Sequence, residues 1–88
     1  MTNPTDNNQI EPALRDFIAT NLLYSKEGFT YPDNASLLRE GIIDSLGVAE
    51  LVAFVQTKFG ITVEQQDVRP ENFDSVASLS AFVRRKKG

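Results

Sequence analysis

The sequence predicts an all-α fold: a small four-helix bundle of three longer helices and one short helix, with a long loop between helices I and II. Apolar residues recur at helical spacing in three separate stretches, and no stretch shows the alternation of a convincing strand. The length of 88 residues allows one small domain. We expect a flexible arm at residues 1–8, the domain at residues 9–85 and a basic C-terminal tail at residues 86–88.

The first helix is predicted over about residues 9–24. One side of it carries four apolar residues, Ile10, Leu14, Phe17 and Ile18. Its start has two readings. Asn8 with Glu11 fits a capping box, whereas Pro12 fits the first helical position after Glu11.

A long connection follows over residues 25–43, where glycine and proline interrupt any periodicity. Long irregular loops in compact domains are often functional. Its apolar residues are predicted to hold the loop against the core: Phe29, Leu37, Leu38, Ile42 and Ile43.

The second helix is predicted from Asp44 or Ser45 to Phe59, with Gly60 as its stop. On a helical wheel the predicted core face carries Val48, Leu51, Val52, Val55 and Phe59. The far side carries Leu46, Ala49, Glu50, Ala53 and Thr57. This flat outer side is either an ordinary solvent face or a docking surface for another protein.

The last third of the chain is predicted to hold a short extended link at residues 61–63 and one helical turn from Pro70 to Phe73. Ser75 is a suitable N-cap for the final helix. The buried face of that helix is predicted to carry Val76, Leu79, Phe82 and Val83.

The composition excludes most catalytic templates. The chain has no cysteine and no histidine, which removes disulfides, thiolate chemistry, and the commonest general base and metal ligand. We therefore expect no catalytic residue and no metal site. The apolar runs are too short for a membrane span, and the N-terminus does not resemble a signal peptide, so we expect a cytoplasmic protein.

Charge is unevenly distributed along the chain. All 12 acidic residues lie within residues 1–83, together with only five of the nine basic residues. An acidic body disfavours nucleic acid and favours basic protein partners. The remaining four basic residues, Arg84 to Lys87, are expected to complement the dipole at a helix C-terminus.

Ser45, at the start of the second helix, is compatible with two different roles. It can be the N-cap, since a serine hydroxyl accepts a hydrogen bond from an unpaired backbone N–H. Asp44 can perform the same function, and Ser45 would then be free to carry a phosphate beside the positive end of the helix. The residues alone leave both readings open.

The run Glu-Gly-Ile-Ile-Asp-Ser-Leu-Gly-Val-Ala-Glu-Leu at residues 40–51 resembles the modification site of the acyl carrier protein family. The resemblance extends over about residues 9–85, including Phe59-Gly60 and the link at residues 67–75. The family attaches 4′-phosphopantetheine, taken from coenzyme A, to the serine of an Asp-Ser-Leu element. The resemblance therefore implies that Ser45 is the attachment site.

The resemblance also implies a carrier without catalytic activity of its own. Such a protein carries acyl intermediates as thioesters between enzymes of fatty acid, lipid or secondary-metabolite biosynthesis. The implied partners are a phosphopantetheinyl transferase (holo-acyl carrier protein synthase), an acyl or aminoacyl ligase and downstream acyl-transfer enzymes, with the chain acting as a monomer. The expected partner-binding residues are Asp44, Leu46, Ala49, Glu50 and Ala53.

The sequence departs from the commonest family pattern at Gly47, where many members have an acid, and at residues 56–58, a stretch that is often acidic. Gly41 stands four residues before the serine rather than three. These departures weaken the charge complementarity to fatty acid synthase partners. The Gly-Ile-Ile-Asp-Ser-Leu-Gly form looks more like stand-alone carriers, including aminoacyl or D-alanyl carriers loaded by an ATP-dependent ligase. An unmodified helical adaptor and a small DNA-binding domain are the other readings.

Overall fold

Four α-helices form the protein in the computed structural model, which describes residues 9–87. Their bounds are Ile10–Phe17 (α1), Ser45–Phe59 (α2), Pro70–Phe73 (α3) and Val76–Lys87 (α4). A π-helix at Ile18–Leu22 continues α1, and a 3₁₀ helix at Gln65–Asp67 precedes α3. No strand occurs within the described residues, so the predicted all-α fold with one short helix is confirmed.

The helices bury the faces that their periodicity predicted. Twelve apolar side chains from α1, the π-helix, α2, α3 and α4 are at most 3% exposed: Ile10, Leu14, Ile18, Ala19, Leu51, Val55, Phe59, Phe73, Val76, Leu79, Phe82 and Val83. Val48 and Val52 are partly buried against this core. The start of α4 is also as predicted, because the Ser75 Oγ accepts a hydrogen bond from the Ser78 N–H at 3.0 Å.

The first helical segment differs from its prediction in its hydrogen bonding. It begins at Ile10, so Pro12 is the third helical residue and not the first, and Asn8 lies outside the described residues. After Phe17 the chain turns more widely, as a π-helix. Both Ile18 and Ala19 are buried there, so two adjacent residues of this turn reach the core.

The long loop is held to the helices by side-chain and backbone hydrogen bonds. Arg15 donates to both carboxylate oxygens of Asp33 at 2.8 Å, and the pKa of Asp33 is lowered as a result. The Leu37 N–H donates to the Asp74 carbonyl at 2.6 Å, and the Ala77 N–H donates to the Asp33 carbonyl at 2.8 Å. The loop therefore has a defined path into α2.

Leu37, Ile42 and Ile43 are buried and Phe29 is partly buried, as predicted for the loop. The prediction for Leu38 is wrong, since its side chain is 43% exposed. Leu37 occupies the core position in this turn of the loop, and Leu38 therefore faces the solvent.

The basic end of α4 contacts three other elements. Arg84 donates to Glu11 of α1 at 2.7 Å, and Arg85 donates to Asn72 of α3 at 2.9 Å. Lys86 lies 3.0 Å from the carboxylate of Asp67 in the 3₁₀ helix. These contacts add to the predicted interaction with the helix dipole. Within residues 9–87, no helix has the length and apolar character needed to cross a membrane.

Candidate functional site

Helix α2 begins with a cap supplied by Asp44. The Asp44 backbone is extended, and its Oδ1 accepts a hydrogen bond from the Gly47 N–H at 3.0 Å. Ser45 is the first residue of the helix and is exposed. Across residues 9–87, no hydrogen-bond partner is found for its hydroxyl. Of the two readings of this helix start, the structure selects the one in which Asp44 is the cap.

Gly47 fixes the position of this helix start against the loop. It is buried, and a Cβ added to it would lie 2.9 Å from the Cβ of Ile43. Real Cβ atoms do not approach so closely, so only glycine permits this packing. Since Ile43 is itself buried in the core, the close contact holds the first turn of α2, and with it Ser45, in a defined place.

Ser45 lies between two surface grooves. The α1-side groove has a volume of about 750 Å³ and is lined by Asn21, Tyr24, Leu38, Asp44, Leu46 and Glu50, among others. The α3-side groove has a volume of about 320 Å³, and its lining is almost entirely apolar, including Leu38, Val48, Val68, Pro70 and Phe73. Ser45 and Leu38 border both grooves.

The five residues expected to bind partners are all exposed. Asp44, Leu46 and Glu50 share the α1-side groove with Ser45, and Leu46 is 69% exposed. Ala49 lines the α3-side groove instead, and Ala53 lines neither, because it lies two helical turns beyond Ser45. The structure thus places three of the five directly around the serine on one side.

Tyr24 and Val68 also border the site, although the sequence patterns did not single them out. Tyr24 is 82% exposed and Val68 is 42% exposed. Tyr24 lies just after the π-helix with a φ of 52°, and Val68 follows the 3₁₀ helix. Neither local conformation has a periodic signature, so the sequence offered no signal for them.

The chemistry of the site is that of an exposed serine hydroxyl with no histidine to activate it. The chain has no histidine, and no cluster of three or more potential metal ligands occurs in residues 9–87. A phosphodiester on Ser45 would lie beside the first-turn N–H groups and the positive end of α2, where anions are stabilised. The exposed hydroxyl and the separate cap therefore fit a covalently attached phosphopantetheine.

Comparison with known proteins identifies the family. No protein-family model matches the chain. The chain is 32% identical over 79 residues to a protein named "Probable acyl carrier protein PigG" from Serratia sp. (strain ATCC 39006), covering 89% of this chain and 88% of that protein. The chain belongs to the acyl carrier protein family, whose members are non-catalytic carriers.

The fold also matches a chain in a solved structure described as "Crystal structure of FAD-dependent dehydrogenase". The TM-score is 0.65 and the sequence identity is 31%. The match covers 78% of this chain and 96% of that chain, so the matched chain is shorter than the present one.

Proposed function

We propose that Ser45 is the attachment site of 4′-phosphopantetheine and that the protein carries acyl groups between enzymes. One observation carries the proposal: the Ser45 hydroxyl is exposed at the first position of α2, while Asp44 supplies the cap. A serine needed as the cap would have its hydroxyl engaged with the backbone. Here the hydroxyl is available to react.

The reaction at Ser45 would be catalysed by a phosphopantetheinyl transferase. The Ser45 Oγ forms a bond to the phosphorus that carries the pantetheine group of coenzyme A. The bond between that phosphorus and the adenosine 3′,5′-bisphosphate oxygen breaks, and the serine proton passes to a base of the transferase. We assign this base to the transferase, because this chain has no histidine, the side chain that most often takes the proton in such a step. The attached group supplies a terminal thiol, which holds acyl groups as thioesters.

We assign partner binding to the exposed residues around this serine. Leu46 supplies an apolar side chain that can enter a partner's surface, and Asp44 and Glu50 can pair with basic residues of the partner. Ala49 and Ala53 keep the outer surface of α2 flat, so that a partner can approach closely. The expected monomeric state and cytoplasmic location stay predictions.

A flavin enzyme is the proposed class of one downstream partner. The matched chain in the structure described as an FAD-dependent dehydrogenase is shorter than 88 residues. A chain of that length is too short for a doubly wound dinucleotide-binding domain. It therefore fits a small protein crystallised with the dehydrogenase. By its similarity to that chain, we propose that this carrier presents its acyl group to an FAD-dependent dehydrogenase, which removes two hydrogen atoms from the cargo and passes them to the flavin.

Mass spectrometry tests the attachment site. The chain is incubated with coenzyme A, Mg²⁺ and a broad-specificity transferase, and we expect one added phosphopantetheine on the wild type and on the control Ser25→Ala. Ser45→Ala should gain no mass. Absence of any gain in the wild type, with a transferase shown to be active on another carrier, would favour the unmodified helical adaptor.

The kind of cargo is tested after modification. Candidate acyl and aminoacyl ligases are screened with the modified protein, ATP and their acids, and each product is read as a mass increase. An amino acid accepted in preference to simple acids would make this an aminoacyl or D-alanyl carrier. A loaded product that loses two hydrogen atoms with a flavin dehydrogenase would support the proposed partner class, and a cargo left intact by every such enzyme tested would oppose it.

A further inference from the structure

The α3-side groove offers an apolar surface beside Ser45. Six of its eight lining residues are apolar: Leu38, Val48, Ala49, Val68, Pro70 and Phe73. The other two are Ser45 itself and Arg69, whose Nε donates to the Gln66 carbonyl at 3.2 Å. A lining of this kind gives few hydrogen-bond partners to the amides of a pantetheine arm, whereas hydrocarbon gains by leaving water there. The groove therefore suits an apolar cargo better than the arm that carries it.

The position of Ser45 at the edge of this groove determines what can reach it. A group attached through the Ser45 Oγ stays tethered beside the lining, and a short flexible tether gives an effective concentration on the order of millimolar. A flexible arm can fold back and return its end to the surface next to the attachment point. Tethered cargo is thus the occupant that the position of the serine favours.

Phe73 closes the bottom of the groove. Its side chain lines the groove, yet the residue is only 2% exposed, and its ring centroid lies 5.5 Å from that of Phe82 in α4. Because the ring contacts both the groove and the core, it separates the two. A chain longer than the groove can enter the core only if this ring moves.

Two hydrogen bonds hold the end of α3, and with it Phe73, against the long loop. The Asp74 carbonyl accepts from the Leu37 N–H at 2.6 Å, and the Asp74 carboxylate accepts from the Ser36 hydroxyl at 2.7 Å. Leu38, which also lines the groove, belongs to the same turn of the loop. Widening the groove between Leu38 and Phe73 would therefore break both hydrogen bonds to Asp74.

Resting on the proposed function, we infer that Phe73 is a specificity-determining residue that limits the cargo of this carrier to compact groups. A short hydrocarbon part lies in the α3-side groove against the Phe73 ring, and a longer acyl chain is kept out of the core. The favoured substrate class is a compact acid with an apolar side. A long fatty acyl chain would remain largely exposed to water, which makes it a poor cargo.

A series of cargos of increasing length tests this limit. A broad-specificity transferase is given Mg²⁺ and acetyl-, butyryl-, hexanoyl- or dodecanoyl-coenzyme A, and mass spectrometry confirms transfer of each acylated arm. Hydrocarbon that is bound only by the folded state raises the Tm. For the wild type we expect a rise of about 4–8 °C from the acetyl to the hexanoyl form, and a dodecanoyl form that melts no higher than the hexanoyl form.

Phe73→Leu tests the role of the ring. The smaller apolar side chain opens the floor, so the dodecanoyl form of this variant should melt above its hexanoyl form. The control is Phe59→Leu, the same substitution at a residue that is 3% exposed and does not line the groove. It should keep the wild-type limit. Each loaded form is compared with the unloaded form of the same variant, so that a general loss of stability cancels.

The wild-type series decides the inference even if Phe73→Leu does not fold. A Tm that keeps rising to the dodecanoyl form would show that the floor opens, and a Tm equal for all cargos would show that the groove holds none. Either result overturns the inference, although Ser45 remains the attachment site. A folded Phe73→Leu with the wild-type limit would remove Phe73 from this role. A wild type that accepts no acylated arm would overturn the proposed function as well.

Discussion

Gly47 shows how one residue determines the geometry of the site. Its close contact with Ile43 explains a departure from the common family pattern, in which many members have an acid after Asp-Ser-Leu. An acidic side chain at this buried position would have no space and would lose its solvation. The sequence showed the departure but could not show its cause, because a contact between the end of a loop and the first turn of a helix depends on the tertiary fold.

We expect Gly47→Ala to lower the free energy of unfolding by about 1–3 kcal/mol, since the new Cβ would overlap the Cβ of Ile43. The better helix propensity of alanine, worth about 1 kcal/mol, offsets only part of this loss. Urea unfolding measures the change. Trimming Ile43 to Val or Ala should not restore stability, because both residues keep the Cβ. A variant as stable as the wild type would contradict the packing argument.

Glu50 allows a test of electrostatics at the proposed docking surface. It is exposed beside Ser45, and no hydrogen bond or ion pair to its carboxylate is found within residues 9–87. Glu50→Lys should therefore leave the Tm nearly unchanged, and it should slow phosphopantetheine transfer by reversing a charge that faces a basic partner.

The control for Glu50→Lys is Glu27→Lys, which makes the same change in net charge on an exposed residue that does not line the α1-side groove. Transfer to Glu27→Lys should remain near the wild-type rate. Equal slowing of both variants would mean that overall charge controls the reaction and would remove Glu50 from the docking surface.

At the scale of elements, the sequence predicted α2 and α4 well, because each has a capping residue and a regular apolar face. Gly60 ends α2 in the left-handed conformation, with a φ of 68°, as expected for a glycine stop. The π-helix at residues 18–22 and the 3₁₀ helix at residues 65–67 were missed. Both are short, and tertiary contacts determine their hydrogen bonding more than local preference does.

Phe54 is a core contact of α2 that the sequence analysis did not predict. The helical wheel of α2 assigned it to neither face, yet its ring stacks on Phe17 with centroids 4.2 Å apart and meets Phe59 edge-on at 6.1 Å. A residue at the border between two faces is buried or exposed according to the neighbouring helix. Its position therefore depends on where the first helical segment packs, which periodicity does not specify.

Two serines of the α4 region should respond oppositely to removal of their hydroxyl groups. Ser75 caps α4, so Ser75→Ala should lower the free energy of unfolding by about 1 kcal/mol. Ser80 is 1% exposed, and its hydroxyl has no hydrogen-bond partner within the described residues. Ser80→Ala should raise stability by about 1 kcal/mol, because it removes an unsatisfied buried polar group. Chemical denaturation of the pair measures both signs, and a loss of stability in Ser80→Ala would contradict this assignment.

At the scale of the whole molecule, ion pairs connect elements that are far apart in sequence. Arg15 joins α1 to the loop through Asp33, Arg84 joins α4 to Glu11 of α1, and Lys86 joins α4 to Asp67 of the 3₁₀ helix. Apolar periodicity predicted the helical bundle and the buried faces of its helices, and the structure confirms both. These pairings could not be predicted, since surface charges carry no period that identifies their partners.

The ion pairs predict a loss of stability in acid. The hydrogen bond from Arg84 lowers the pKa of Glu11, and the hydrogen bond from Arg15 lowers the pKa of Asp33. The pKa of Asp67 is lowered by a backbone hydrogen bond from Glu64 and then by Lys86. Because folding depresses these pKa values, their contribution is complete above the unfolded-state values and is lost as the pH falls below about 4.

Thermal unfolding between pH 7 and pH 2.5 measures this dependence, and we expect the Tm to fall mainly below pH 4. Arg15→Gln should have a shallower decline, because Asp33 then loses the partner that lowers its pKa. The Arg15–Asp33 and Arg84–Glu11 pairs are partly exposed, so each contributes little, at most about 1 kcal/mol. A Tm that stays constant down to pH 2.5 would show that these carboxylates do not stabilise the fold.

The backbone hydrogen bonds from Leu37 to Asp74 and from Ala77 to Asp33 also determine the order in which parts of the chain can fold during synthesis. A ribosome makes the chain from its N-terminus, and the anchoring residues of the loop are synthesised long before the residues that hold them. During translation, the segment that leads into Ser45 therefore cannot adopt its final path until residues 74–77 have emerged, and the modifying enzyme meets the finished surface only after that point.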